Sequence, residues 1–321
     1  MNGVLRRRFL AFALVLPTAQ LHAQAFPAGP ITIVVPLAPG DAADISARAM
    51  GDEISRVLRT PVLVVNRPGG GGTIGANTVV QAAKNGHTLL FAQNSALTLR
   101  PVLDAQSVPY DTLRDLVPLG LSSRTPSVLV VRTDAPYKTF VELVEYAKKS
   151  PGTVRIGHPG VGSVGDLCVQ LISHLAGVEL VRVPYTGAGP SIASLRGEHI
   201  EGIVSSLGAL TPHLRSGALR GIVASSRLPE FANIPTMRDL GYEDDLFGIW
   251  FSFLAPAGIP EATRKVLADA VEQAVRDPSI TATLAPLGIF QSYRGPEQTA
   301  VEIREEIKRV TAIARKSGLV K

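Results

Sequence analysis

The residues able to do chemistry in this sequence gather in glycine-rich turns. Gly70-x-Gly72-x-x-Gly75 and Gly160-x-Gly162-x-x-Gly165 have the spacing with which backbone amides hold a dinucleotide's phosphates. Each lies between a strand-like and a helix-like run. That fingerprint also needs an acid about 20 residues on, for the ribose. The next strands end instead in Phe91-Ala92-Gln93 and Arg182-Val183-Pro184, so no nucleotide cofactor is expected. Ser163 sits in Val161-Gly162-Ser163-Val164-Gly165, which lacks the first glycine of a nucleophile elbow. His158 lies in the same turn, where it either touches a ligand or faces solvent. No His-Glu-x-x-His helix and no Cys/His spacing for a metal occurs. Cys168 is the only cysteine; its apolar run, Leu167–Ile172, marks it as a buried thiol with no disulfide partner in the chain. What remains is a set of turns rich in N–H and hydroxyl groups without a reactive pair. That pattern suits binding rather than turnover.

The turns need elements to hold them. Ile31, Ile33 and Val35 alternate with Thr32 and Val34 as a β-strand, which Pro36 and Pro39 stop and Gly40 turns. Asp41 or Asp44 then caps a helix over 44–58, with Ile45, Ala49, Ile54 and Leu58 near helical spacing. A strand, a tight turn and a helix N-terminus form half of an anion cradle, because the first N–H groups of a helix lack internal partners and its dipole favours negative charge there. The unit recurs. Strands are expected at 61–66, 88–92, 128–131, 154–156, 179–183, 202–204 and 222–224. Helices are expected at 73–83, 139–149, 166–175, 191–196, 261–276 and 297–316, with Gly318 as a stop. Such strand–turn–helix units predict open α/β sheets whose ligands lie beyond the carboxyl ends of the strands.

Composition narrows the class further. Arg6–Arg8, the apolar Phe9–Leu16 and Ala23-Gln24-Ala25 read as a signal peptide over 1–25, Sec or twin-arginine, that exports the protein to the periplasm. Those three arginines account for most of the net charge of +5, and Lys and Arg do not cluster afterwards. No nucleic-acid partner and no membrane insertion of the mature chain are expected. Aromatic residues make up only 5% of the chain, too few for a stacking platform.

The landmarks ITIVVPLAPGDAAD, VVNRPGGGGTIGAN, GHPGVGSVGDL, VPYTGAGPSI and FLAPAGIP occur in the order and spacing of the Bordetella uptake (Bug) family. The chain therefore resembles the substrate-binding proteins of tripartite tricarboxylate transporters over essentially its whole mature length. The resemblance implies a periplasmic, two-lobed type II binding-protein (venus-flytrap) fold without catalysis, cofactor or metal. It implies a monomer that captures a small organic acid and delivers it to membrane permease subunits. Lobe 1 is expected over 26–123 plus 236–321 and lobe 2 over 124–235. Two other readings are a sensor that presents its liganded form to a signalling partner and an exported enzyme using Ser163 or His158.

The family's binding turns map here onto Ala38, Pro39, Gly40, Asp41 and Asp44, then Gly71 and Gly72, and Gln93, Asn94 and Ser95. On the second lobe they map onto Pro126 and Ser127, His158, Gly162, Ser163, Val164 and Gly165, Tyr185, Thr186 and Gly187, and Ser205 and Ser206. Asp41 stands where the family usually has glycine, and Asp166 where a non-acidic residue is common. If both are ionised and unpaired they repel a multiply charged anion, which predicts a ligand with at most one free carboxylate. Arg124, just before the expected lobe crossing, either reaches an anion or, as the commoner case for an arginine, is solvated.

Overall fold

The computed structural model describes residues 26–316; the signal-peptide region and Gly318 lie outside them. The chain first lays down β1 (Ile31–Val35), α1 (Ala42–Leu58), β2 (Val62–Asn66), α2 (Thr73–Val80) and β3 (Thr88–Gln93). A π-helical turn, Ser95–Leu99, then leads through α3 (Arg100–Leu103) and α4 (Thr112–Asp115) into β4 (Leu116–Thr125). One residue later the chain enters a second layer. This holds β5 (Ser127–Arg132), α5 (Phe140–Lys149), β6 (Val154–His158), α6 (Val164–Ala176) and β7 (Leu180–Pro184), then α7 (Ala188–Arg196), β8 (Gly202–Ser206), α8 (Leu207–Arg215) and β9 (Leu219–Ala224). The return leg supplies β10 (Ile249–Pro256), α9 (Glu261–Arg276), α10 (Pro278–Leu284), β11 (Phe290–Arg294) and α11 (Pro296–Lys316).

Two sheets result, a six-stranded one ordered β11-β4-β10-β3-β1-β2 and a five-stranded one ordered β7-β6-β8-β5-β9. β1 runs parallel to β2 and β3, and β6 parallel to β7 and β8, as βαβ units require. Helices cover the faces, so the central strands are mostly apolar, and every residue of β10 is buried. Phe91 packs on Phe253 and Phe251 with ring centroids 4.5 and 5.8 Å apart, fastening β3 to β10. α5 shows how such a cover forms. Thr139 and Glu142 make a reciprocal capping box, and Phe140, Leu143, Val144 and Ala147 turn inward. Full burial of each larger apolar chain contributes about 1.5–3 kcal/mol.

The topology places the carboxyl ends of β1, β3, β6 and β8 along one seam between the sheets, with the crossings beside it. Arg124 and Thr125 still pair with β10, and Thr236 bridges Ala224. The sheets therefore divide at Pro126 and between Thr236 and Ile249, rather than at residues 124 and 236. Other boundaries also move. Asp41 lets α1 start at Ala42, and Ser163 lets α6 start at Val164. Gln93 remains in β3 and Asn94-Ser95 enter helical turns; Ser205-Ser206 close β8 instead of forming a turn.

Candidate functional site

The seam is built first from the β1–α1 turn. Asp41 caps α1 by accepting the Ala43 N–H at 3.0 Å, worth about 1 kcal/mol for such a cap. Asp44 reaches back to accept the Gly40 N–H at 2.9 Å and also takes Arg48 and the Asn66 amide. The two acids thus occupy donors that a cradle would offer an anion. Their ionisation is pushed in opposite directions. Burial raises the Asp41 pKa, helped by the charge of Asp44, against the Ala43 N–H. Burial also works against Asp44, but Arg48, the Gly40 N–H and Asn66 outweigh it and hold that carboxyl below the usual range. Pro39 and Gly40 are exposed at the tip, Ala38 is half-buried, and its carbonyl accepts the Asp41 N–H.

Two glycine turns from opposite sheets meet across the seam. A Cβ on Gly71 would lie 3.1 Å from the Val161 carbonyl of the second sheet. It would also lie 3.1 Å from Cδ of Arg100, a residue of the first. A Cβ on Gly162 would lie 2.1 Å from the same Arg100 Cδ and 2.9 Å from its Nε. Arg100, 9% exposed, thus fills the space between both turns. Its Nη2 donates to Asp104 Oδ2 at 2.6 Å, whereas Nε is buried with no partner among the described residues. Ser95 ties this side together by donating to the Gly71 carbonyl at 3.1 Å, and Gly72 packs against Ala96.

On the second sheet the acid expected to stand unpaired is fully engaged. Asp166 Oδ2 accepts the Gly162 N–H and Oδ1 accepts Arg182 Nη1, both at 2.8 Å. The premise that Asp166 repels a polyanion therefore fails. His158 is 1% exposed and faces neither solvent nor open cleft. Its Nδ1 donates to the Gly160 carbonyl at 2.9 Å, and Nε2 stands 3.5 Å from Asp166 Oδ1. Burial pushes the imidazole pKa down; the charge of Asp166 and the Gly160 carbonyl pull the other way and do not prevail. Ser163 is the N-cap of α6, its hydroxyl accepting the Asp166 N–H at 3.2 Å. Val164 is buried core, and Gly165 lets α6 approach β8, since a Cβ there would stand 2.5 Å from the Val204 carbonyl. These two pack inward. Tyr185 is half-buried with its hydroxyl on Ser194, Thr186 is exposed, and Gly187 opens α7. Ser205 Oγ is buried and has no partner among the described residues, while Ser206 caps α8 through its backbone only.

Asn94 and Ser127 both bond to the segment that returns between the sheets. Asn94 Nδ2 donates to the Gly248 carbonyl at 3.1 Å from the first sheet, and Ser127 Oγ to the Phe247 carbonyl at 2.6 Å from the second. Together they hold the returning segment from both sides. The Pro126 carbonyl accepts the Leu207 N–H at the other crossing. Gln93, 8% exposed, lies at the end of β3 opposite Phe251. Glu306 of α11, which no sequence signal singled out, supports the same region by accepting Thr98 Oγ1 at 2.6 Å and Asn94 Nδ2 and Trp250 Nε1 at 3.0 Å.

A groove of about 600 Å³ opens on the α11 side of the crossings, between Arg124, Phe290, Glu302 and Arg309. Its cations are already occupied: Arg124 pairs with Glu302 at 3.0 Å and Arg309 stacks over Phe247. Arg124 thus faces α11. The cation at the seam is Arg100, which sequence reasoning missed; its signal was an arginine inside the apolar run Ser95–Leu103, where charge is rarely buried without a reason. Among the described residues no cluster of three or more His, Cys, Asp or Glu can hold a metal ion, and no helix is long and apolar enough to cross a membrane.

Residues 46–319 match the model of the tripartite tricarboxylate transporter family receptor. BugT of Bordetella pertussis is 32% identical over 307 residues, spanning 94% of this chain and 93% of that protein. Among solved structures, MatC of Rhodopseudomonas palustris with bound malate is 29% identical, with a TM-score of 0.84 over 90% of this chain and 99% of its own. Rpa4515 of R. palustris with adipate is 25% identical, with a TM-score of 0.85 over 91% and 98%.

Proposed function

Because the chain belongs to the tripartite tricarboxylate transporter receptor family, with its two-lobed type II binding-protein fold, we propose that it is a periplasmic receptor for a small dicarboxylate. The ligand is held between the lobes and handed to membrane permease subunits. One observation carries this reading: the turns at Gly70–Gly72 and Gly160–Gly162 come from opposite sheets and meet around a buried guanidinium. Backbone donors in such turns hold carboxylates without a dedicated side chain for each oxygen, and closure adds the second lobe's contacts to the first. The family supports the binding role, and the malate and adipate of the two neighbours support the ligand class.

The pairing of Asp166 changes the expected charge preference. With Asp166 paired to Arg182, one of the two acids that argued for a single carboxylate is compensated, and burial pushes the pKa of the other, Asp41, upward. Calorimetric titration with malate, adipate, citrate and a monocarboxylate tests the reading. Tightest binding by a dicarboxylate is expected. Absence of binding by every acid in the panel refutes the receptor assignment.

A further inference from the structure

Arg100 carries an inference beyond the ligand class. It begins α3, directly after the π-helical turn Ser95–Leu99, so an irregular helix start aims it across the seam. Its stem lies against Gly71 of its own sheet and Gly162 of the other. Asp104 holds one end of the guanidinium through Nη2. The opposite edge, Nε, faces Gly162 and meets no acceptor among the described residues. A buried donor on a permanent cation is costly when unmatched, so native proteins retain one where an acceptor arrives or a strong packing demand exists. Packing alone would be served by an unbranched apolar chain such as methionine. Asp166, the acid that accepts the Gly162 N–H on the other side of the seam, is committed to Gly162 and Arg182.

We infer that Arg100 is the specificity-determining residue of the site: its Nε edge donates to a carboxylate of the bound solute, with Asp104 fixing the guanidinium's orientation. The solute thereby gains a charge-assisted hydrogen bond in addition to backbone donors. Glycine at 162 lets the second lobe's turn lie directly against the arginine, where a Cβ would stand 2.1 Å from its Cδ. This assignment rests on the dicarboxylate-receptor reading, and the experiment separates the two.

Wild type, Arg100→Gln and Arg100→Lys are titrated calorimetrically with malate, adipate and citrate, and the melting temperature of each free protein is measured. Losing the donor weakens binding of the preferred acid by about ten- to hundredfold in Arg100→Gln, the range of one charge-assisted hydrogen bond. Lysine keeps the charge but lacks Nε, so Arg100→Lys is also weakened, by less. It serves as the comparison if the glutamine variant does not fold. A merely structural role would lower the melting temperature without changing affinity. Wild-type affinity in a folded variant overturns the role of Arg100 and leaves the receptor reading standing. Failure of all three acids to bind wild type overturns the receptor reading, and this inference with it.

Discussion

Gly162→Ala separates the stability of a turn from the closing of the seam. Gly162 has φ +75°, where an L side chain costs about 1–2 kcal/mol, and this strain acts whether or not the lobes are together. The new methyl would also stand 2.1 Å from Arg100 Cδ and 2.8 Å from Nη1. Relieving that overlap requires the buried arginine to shift, at about 1–3 kcal/mol for overpacking. This second cost acts only when the 160–162 turn sits on Arg100. If ligand is held by closure, about 2 kcal/mol appears as an affinity loss of roughly 30-fold. The strain appears separately as a fall in melting temperature of about 2–4 °C per kcal/mol. Calorimetry with the preferred dicarboxylate reads the first, thermal unfolding of the free protein the second. A double-mutant cycle with Arg100→Ala should recover most of the overlap as coupling, because the three atoms nearest the new methyl all belong to the Arg100 side chain. Wild-type affinity in Gly162→Ala, beside the expected loss of stability, would refute the idea that these turns close on the ligand.

Glu306 gives a pH signature. Burial raises its carboxyl pKa, opposed by the donors of Thr98, Asn94 and Trp250 and reinforced by Glu302. The folded state then holds a proton that the unfolded chain has released. That stabilising contribution is complete below the ordinary glutamate value and is lost as pH rises through the raised folded value. Glu306→Gln removes the titration, so chemical denaturation should show the variant gaining on wild type as pH rises from acid to neutral; a difference that stays constant with pH contradicts this. Cys168, fully buried beside Ser127 and the Phe247 carbonyl, has its thiol pKa pushed up to about 11 by burial. A disulfide reagent at pH 8 should therefore titrate no thiol in the native protein and one after denaturation, and rapid native labelling would show that the packing around Cys168 opens far more than its burial allows.

Much of the scaffold could be read from local pattern. α9 spans Glu261–Arg276, the range expected from the sequence, and α5 shows the amphipathic spacing and capping box of an exposed cover helix. β10 had no such mark, because a strand buried on both faces shows no alternation. β4 was hidden by Pro118 and Gly120, residues that ordinarily break strands; here shifts in register against β10 at Phe251/Ser252 and Phe253/Leu254 absorb the irregularity. The polar turns at the carboxyl ends of strands were legible for a related reason. Gly, Pro, Ser and Asp mark a backbone that leaves regular structure, and an α/β sheet places those exits on one edge.

What each side chain does on that edge was not local information. Ser127 and Asn94 look like ligand residues by position, yet their acceptors, the Phe247 and Gly248 carbonyls, lie 120 and 154 residues away. Asp166 looks like a free acid until Arg182, on the neighbouring strand, is brought to 2.8 Å. Each reassignment removes a polar group from the seam, and together they concentrate its uncommitted donors. Among the described residues Arg100 Nε, beside the first sheet, and Ser205 Oγ, at the end of β8 in the second, are left buried without partners. A site using backbone N–H groups for the common part of its ligands needs few side chains to distinguish one acid from another. The charge at Arg100, held by Asp104 and reached across Gly162, is therefore where a change of one residue should alter the preferred solute while leaving the fold intact.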